Sequence, residues 1–294
     1  MTKPPRHITF IINPRAGMER EKEIKAAIKA QLNEFLYTYD IQHTQYAKHG
    51  IALAKAAADK GTYAVVAVGG DGSVNDVAQG LLGSNTILGI IPKGSGNGMA
   101  RTLKIPLDTF AAVRAINAGR TIRTDIGYAN DRPFISNAGV AFDALISKKF
   151  AKSEKRGFGV YSWLVTKHLW LYKPWRFEIT IDGERFDEQA FMIVVANGQQ
   201  FGYNFRIAPM ACYNDGLLDL IIVRKFPKIL GGLIALRAMN GTITDSRYVT
   251  HQRGKTITIS HPELKLMQTD GDAHDCEHSI DFTVKREAIA ILVP

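Results

Sequence analysis

Cysteine is scarce: Cys212 and Cys276 are the only two in 294 residues, and they lie far apart. A disulfide framework is therefore excluded, and the usage fits a reducing compartment. No apolar run approaches the ~18 residues of a membrane-spanning helix. The start, Met1-Thr2-Lys3-Pro4-Pro5-Arg6, leads into a short apolar stretch with no signal-peptide core. Low-complexity segments are missing, and 46% apolar against 22% charged residues argues against disorder. These absences give the expectation of a soluble, cytoplasmic protein, long enough for two domains. What is in excess is positive charge, net +9. That balance fits nucleic acid, an anionic membrane face or phosphorylated small molecules, and no nucleic-acid recognition motif accompanies it.

The first half alternates strand and helix patterns. His7–Asn13 reads as a buried strand, followed by a helix over 19–36 with Ile24, Ile28 and Leu32 on one face. A second strand is expected over 37–46 and an alanine-rich helix over 47–60, closed by Gly61. A third strand, 63–68, is followed by a glycine loop and a helix over 74–82; a fourth strand covers 87–91, and a helix follows over 109–119. Nearly all-apolar strands alternating with helices predict a parallel sheet covered on both faces, with ligands at the carboxyl ends of the strands. From about residue 126 the pattern shifts to antiparallel strands: 133–138, 175–181, 190–196, 217–223, 256–260 and 282–284, with Asp182-Gly183 as a hairpin turn. The expected fold is α/β, with a nucleotide-binding domain over 1–125 and a β-rich domain over 126–286. The final apolar strand, 287–293, is expected to return to the first domain.

The stretch that organises the chain is Val68-Gly69-Gly70-Asp71-Gly72-Ser73-Val74-Asn75-Asp76. A helix start leaves N–H groups unpaired and carries partial positive charge, so strand, glycine turn and helix together make an anion site. The glycines allow positive φ and close approach of a ligand to the backbone. A second glycine loop, Pro92-Lys93-Gly94-Ser95-Gly96-Asn97-Gly98, misses the Gly-x-Gly-x-x-Gly dinucleotide fingerprint by one residue. Gly254-Lys255-Thr256 resembles the end of a Walker A loop but lacks the upstream glycine, where Val249 stands. Both decoys are set aside.

Taken together, Asn13-Pro14-x-x-Gly17, Gly69-Gly70-Asp71-Gly72-Ser73, Gly94-Ser95-Gly96-Asn97 and Thr269-Asp270-Gly271-Asp272 occur in the order seen in the diacylglycerol kinase catalytic family. This chain resembles that family, which includes bacterial lipid kinases, sphingosine kinases and ceramide kinases, over almost its whole length. Asn197-Gly198, Ala208-Pro209 and Asp215-Gly216-Leu217-Leu218-Asp219 fit it as well. The resemblance implies an ATP- and magnesium-dependent lipid kinase. Asn13, Pro14, Arg15, Ala16, Gly17, Thr44, Gly69, Gly70, Asp71, Gly72, Ser73 and Ser95 would contact nucleotide, with Asn75, Gly94, Asn97 and Asp125 beside them. The backbone carbonyls of Cys212 and Leu217, with the Asp215 side chain, match a magnesium site used structurally in bacterial members. Asp272 stands where the family usually has its proton-accepting glutamate, with Asp270 and Asp71 as further catalytic candidates. Ser73 replaces a commoner threonine, and Gly98 replaces an aspartate frequent in diacylglycerol kinases, which counts against diacylglycerol specifically.

The residues support the same chemistry on their own. Phosphoryl transfer needs positioning, charge neutralisation and a carboxylate to take the acceptor proton. Asp71, Asp125, Asp270 and Asp272 lie in loop-like contexts, and magnesium suits such oxygen donors. His274, Cys276 and His278 alternate along the chain, but a solvated loop accounts for them better than zinc. Lys148, Lys149, Lys152, Lys155 and Arg156 precede Trp163, Trp170 and Trp175, a combination suited to an anionic membrane surface. Expected partners are ATP, a membrane lipid substrate and that surface, with a homodimer left open. Diacylglycerol is the first acceptor and a sphingoid base or other acyl-lipid the second. NAD kinases share the Gly-Gly-Asp-Gly loop and form the competing enzyme class. A nucleotide-binding regulator without catalysis is the third reading.

Overall fold

The computed structural model describes residues 4–14, 18–153 and 157–294. The chain forms two compact units, one running to Thr124 and including Glu287–Pro294, the other Asp125–Arg286.

The first unit contains β1 (Arg6–Ile12), α1 (Met18–Gln31), β2 (Tyr37–His43), α2 (His49–Asp59), β3 (Ala64–Gly69), α3 (Asp71–Leu81), β4 (Ile87–Pro92), α4 (Gly98–Thr102) and α5 (Thr109–Ala118). Its strands pair in parallel in the order β2-β1-β3-β4. The end of the chain joins them in parallel, Ile291 opposite Leu88. All six residues of β3 are buried, as a strand covered on both faces requires. Ile8, Phe10, Ile24, Ile28, Val66, Val113 and Ile116 belong to one apolar core.

Two elements of this unit differ from the sequence-based expectation. The helix expected over 19–36 stops at Gln31. Asn33 takes over there: its side chain accepts from Phe35 N at 3.0 Å and its carbonyl from Tyr37 N at 3.0 Å, turning the chain into β2. The helix expected from Val74 begins three residues earlier, so Asp71, Gly72 and Ser73 are its first turn.

The second unit takes up the chain within β5 (Thr121–Ala129). It continues through β6 (Arg132–Phe134), β7 (Asn137–Ala141), α6 (Phe142–Ala151), α7 (Phe158–Leu169), β8 (Trp175–Ile181), β9 (Glu184–Ala196), β10 (Leu218–Arg224) and α8 (Gly231–Asn240). β11 (Val249–Gly254), β12 (Thr256–Ser260), β13 (Leu266–Thr269), β14 (Asp272–Asp275) and the part of β15 (Ser279–Leu292) before Glu287 complete it. The pairings are antiparallel, β14-β13-β7-β9-β8-β12-β15, with β10 and β11 continuing from β9. Asp182-Gly183 makes the β8–β9 turn, both residues at positive φ. The single strand expected over 133–138 is two strands, because Ile135 and Ser136 direct their N–H groups at a side chain, Asp270, instead of a neighbouring strand.

Candidate active site

Four loops leave the carboxyl ends of β1 to β4. Backbone bonds tie them together: Thr44 N to Ile12 O at 3.0 Å, Asn13 N to Val68 O at 3.3 Å and Lys93 N to Gly69 O at 2.8 Å. Asn13, Pro14, Thr44, Lys48, Ser73 and Asp76 line a cavity of about 110 Å³ here. The Asn13 amide reaches Ser73 Oγ at 3.4 Å, and Lys48 pairs with Asp76 at 3.3 Å. Four residues expected at a nucleotide site thus share one wall, and Lys48 and Asp76 join them. Asp76 closes the glycine-loop stretch read in the sequence, but Lys48 carries no local signal, since only the packing of α2 against α3 brings the two together. Arg15, Ala16 and Gly17 lie outside the described residues.

The two glycine loops pack backbone to backbone. A Cβ on Gly94 would stand 2.4 Å from Gly70 Cα, and one on Gly69 would stand 2.4 Å from Ser73 Oγ. Neither Gly69, Gly70 nor Gly72 has a positive φ, so space rather than backbone freedom selects glycine at 69 and 70. Asp71 joins the loops from α3: its carboxylate accepts from Gly98 N at 2.6 Å, at the start of α4. Burial pushes the Asp71 carboxyl above the usual carboxylate range, against the pull of the Gly98, Asn97 and Met99 N–H groups. Asn97 closes the second loop on itself, accepting from Gly94 N at 3.0 Å and donating to Gly94 O at 2.8 Å. Ser95 stays exposed. Asn75 is buried in α3 and accepts from Gln79 at 3.0 Å, and it is not among the residues lining the cavity.

In the second unit, Asp270 and Gly271 form the two-residue turn between β13 and β14, with φ +48 and +88. Both at positive φ is the hairpin geometry for which Asp-Gly is among the best sequences. The Asp270 carboxylate accepts from Ile135 N at 2.7 Å, Ser136 N at 2.8 Å and Asn137 N at 3.1 Å. It clamps the β6–β7 link. Asp272, the first residue of β14, is exposed. Gln268 sets the turn from behind: its Oε1 accepts from Gly271 N at 2.7 Å, and its Nε2 donates to Asn137 at 2.8 Å and to Asp143 at 2.7 Å.

Sequence reasoning misses Asp143, although a single carboxylate inside Val140–Ile146 is a visible signal. It sits in the first turn of α6, entered through Ala141 at φ +66. Burial pushes its pKa up to about 7 from 3.8, partly offset by Gln268. Between those values the folded state keeps a proton that the unfolded state releases. This group's contribution to stability is therefore full below pH ~4 and declines as pH rises to ~7, by at most about 1.4 kcal/mol per unit. Asp143→Asn should remove that slope. Denaturant titrations should show the variant gaining on the parent between pH 4 and 7; a difference independent of pH would mean that Asp143 ionises normally.

Asp125 is buried and accepts from Gly216 N at 2.7 Å, holding the turn at 215–216 within the second unit. Asp215, expected at a magnesium site with the carbonyls of Cys212 and Leu217, pairs through Oδ2 with the Arg253 guanidinium, and its Oδ1 accepts from Leu217 N at 3.1 Å. Arg253 also lies 3.4 Å from buried Asp219, which has His251 Nε2 at 2.6 Å. Carbonyl and carboxylate oxygens are donors that magnesium prefers. In this structure the one carboxylate of the set is paired with a guanidinium. The group of three or more Asp, Glu, His or Cys side chains that a metal cluster needs does not occur among the described residues, and His274 is 2.9 Å from Thr269 Oγ1.

Comparison with known proteins bears on this geometry. The family model described as "Diacylglycerol kinase catalytic domain" matches residues 7–129, and the "YegS C-terminal NAD kinase beta sandwich-like domain" matches 137–293. The protein named "Probable lipid kinase YegS-like" of Chromohalobacter salexigens is 37% identical over 187 residues, 61% of this chain and 60% of that protein. The diacylglycerol kinase of Bacillus subtilis is 27% identical over 268 residues, 90% of this chain and 88% of that protein. The crystal structure of a diacylglycerol kinase from Bacillus anthracis superposes with a TM-score of 0.72 over 100% of this chain and 98% of that one; at 20% identity it speaks to the fold. The two glycine loops on a parallel sheet, the antiparallel second unit and these matches agree, and the chain belongs to the diacylglycerol kinase-like family of lipid kinases.

Proposed function

We propose that this protein transfers the γ-phosphoryl group of magnesium-bound ATP to the hydroxyl of a membrane lipid, with diacylglycerol the first candidate and a sphingoid base or other acyl-lipid the second. The observation that carries the reading is the paired glycine loops at the carboxyl edge of the parallel sheet, in a chain of this family. Nucleotide phosphates would meet the N-terminal turn of α3, where the Gly72 N–H and the partial positive charge of the helix end face them, Ser73 N being bonded to Gly70 O at 2.9 Å. Positioning and charge neutralisation are most of what phosphoryl transfer asks of a protein. Magnesium enters with the nucleotide as counter-ion of its phosphates. We assign proton acceptance to Asp272, which is exposed at the hairpin. Asp270, clamped by three N–H groups, positions the turn.

Isotope-labelled ATP supplied with diacylglycerol, ceramide and a sphingoid base in mixed micelles, and with NAD in solution, tests the assignment. Label should appear in a lipid phosphate in a magnesium-dependent manner. Label in NADP would move the protein to the NAD kinase class. ATP binding without transfer to any acceptor would favour the regulator reading.

A further inference from the structure

The second unit exposes a large apolar surface on two helices that meet. Ile229 is 82% exposed, Leu171 77%, Trp170 62% and Trp163 58%, and Leu233, Leu236 and Met239 are exposed as well. On α7 the inner face packs Leu164, Val165 and Leu169 on the core, while Trp163, Lys167 and Trp170 occupy the outer face. On α8 the inner residues are Ile234 and Ala238, and the outer ones, Leu233, Leu236 and Met239, follow the same helical spacing. A surface helix ordinarily carries polar residues there. The two outer faces adjoin: Leu169 packs so closely on Gly231 that a Cβ there would stand 2.8 Å from it, and Lys228 Nζ donates to Tyr172 O at 3.0 Å. Leu171 and Ile229 are the immediate neighbours of that bonded pair.

The two segments themselves carry charge of one sign, and the first carboxylate beyond them is the exposed Asp245. Neither 157–173 nor 224–244 contains an Asp or Glu, while Lys167, Lys173, Arg224, Lys225, Lys228 and Arg237 fall within them. Lys167 Nζ lies over the Trp163 ring at 4.8 Å. Contiguous exposed apolar area of this kind marks an interaction surface. Tryptophan beside lysine, on two segments that carry no carboxylate of their own, fits the boundary between headgroups and acyl chains. No helix among the described residues is long and apolar enough to cross a membrane, so this contact would lie on the surface.

We infer that the outer faces of α7 and α8, with Ile229 and Leu171 between them, form the docking surface for an anionic bilayer. The choice of a lipid surface rests on the lipid-kinase reading, but the measurement does not need catalysis. This assignment shifts the weight from the basic stretch read in the sequence: Lys148 pairs with Asp275 at 3.5 Å, and Lys155 and Arg156 lie outside the described residues.

The test is flotation of the full chain, without nucleotide, on vesicles of 30% phosphatidylglycerol in phosphatidylcholine and on phosphatidylcholine alone. The parent should float with the anionic vesicles. Replacing Trp170, Leu171 and Ile229 together with serine should lower partitioning about 100-fold, because each loses a buried apolar side chain. Lys167→Gln with Lys225→Gln should lower it about fivefold per lysine and flatten its salt dependence. Matching unfolding curves will confirm that these surface changes leave the fold intact. Unchanged flotation of the serine variant overturns the proposal, above all if glutamine at Lys148, Lys149 and Lys152 abolishes flotation instead. If sedimentation shows that the serine changes split a dimer while flotation persists, the surface serves a second copy of this chain and the proposal fails. Transfer to a short-chain soluble acceptor, measured in parallel, separates the two readings. Transfer without flotation removes the docking surface alone, and flotation without transfer removes the kinase.

Discussion

Asp272→Asn should lower phosphoryl transfer about 10²–10⁴-fold, the size usual for loss of a general base, with ATP affinity almost unchanged. The change keeps the shape of the side chain and removes its basic oxygen. The turn before it is set by Gln268, which accepts from Gly271 N, and the strand by backbone pairing of Thr269 with Asp272, neither of which depends on the charge of the side chain. The fold should therefore tolerate asparagine. Because the transition state of such transfers is loose, the base acts late and chiefly orients the acceptor hydroxyl. Asp272→Glu restores the residue usual in the family and should retain activity, provided that the tight turn leaves room for one more methylene. Asp270→Asn supplies the contrast. Its carboxylate receives three backbone N–H groups, and such charge-assisted bonds contribute about 1.5–3 kcal/mol each. That variant should lose stability first and activity as a consequence. Single-turnover transfer, ATP titration and unfolding curves on the two variants distinguish a base from a clamp. Parent-like transfer by folded Asp272→Asn would exclude it as the base.

The parallel sheet is legible in the sequence because its strands are continuous apolar runs punctuated by glycine, and periodicity is a local property. The positions of Asn13, Thr44 and Ser73 on one cavity follow from the rule that ligands gather at carboxyl strand ends. The second unit is harder to read. Its decisive contacts join residues more than a hundred positions apart, such as Asp270 with 135–137 and Gln268 with Asp143, and no local pattern encodes such partners. The same gap applies to Asp215: its motif is visible, but its pairing with Arg253 on a distant strand is not. Proximity in sequence groups Asn75 with the glycine loop, whereas the helix begins at Asp71 and turns it inward. Exposure is also hidden. Nothing in the sequence separates Leu233 and Leu236 from core leucines, and only the packing of Ile234 and Ala238 shows which face of α8 is turned out.

Gly94→Ala should weaken ATP binding about 10- to 100-fold, although alanine adds a single methyl group. That methyl would stand 2.4 Å from Gly70 Cα and 2.9 Å from Asn97 Oδ1. Backbone cannot rotate away as a side chain would, so the two glycine loops must separate, at a cost of about 1–3 kcal/mol in overpacking. Separation also loosens the Asp71 bond to Gly98 and shifts the first turn of α3, whose Gly72 N–H is proposed to meet the phosphates. Gly70→Val places its Cβ 3.1 Å from Gly94 Cα from the other side, with two methyl groups beyond it, and should act in the same direction. Gly72 is the control. It lies in the first turn of α3, a Cβ added there would meet nothing within 4 Å, and its φ is not positive. Gly72→Ala should hold or raise stability by about 0.5–1 kcal/mol, since alanine suits a helix better. Titration calorimetry with ATP on the three variants then reads the loops directly. Loss of affinity in Gly94→Ala and Gly70→Val places the nucleotide against the paired loops. If Gly72→Ala loses affinity while remaining stable, the phosphate approaches the open side of the helix start. Parent-like ATP affinity in folded Gly94→Ala would remove the paired loops from the nucleotide site.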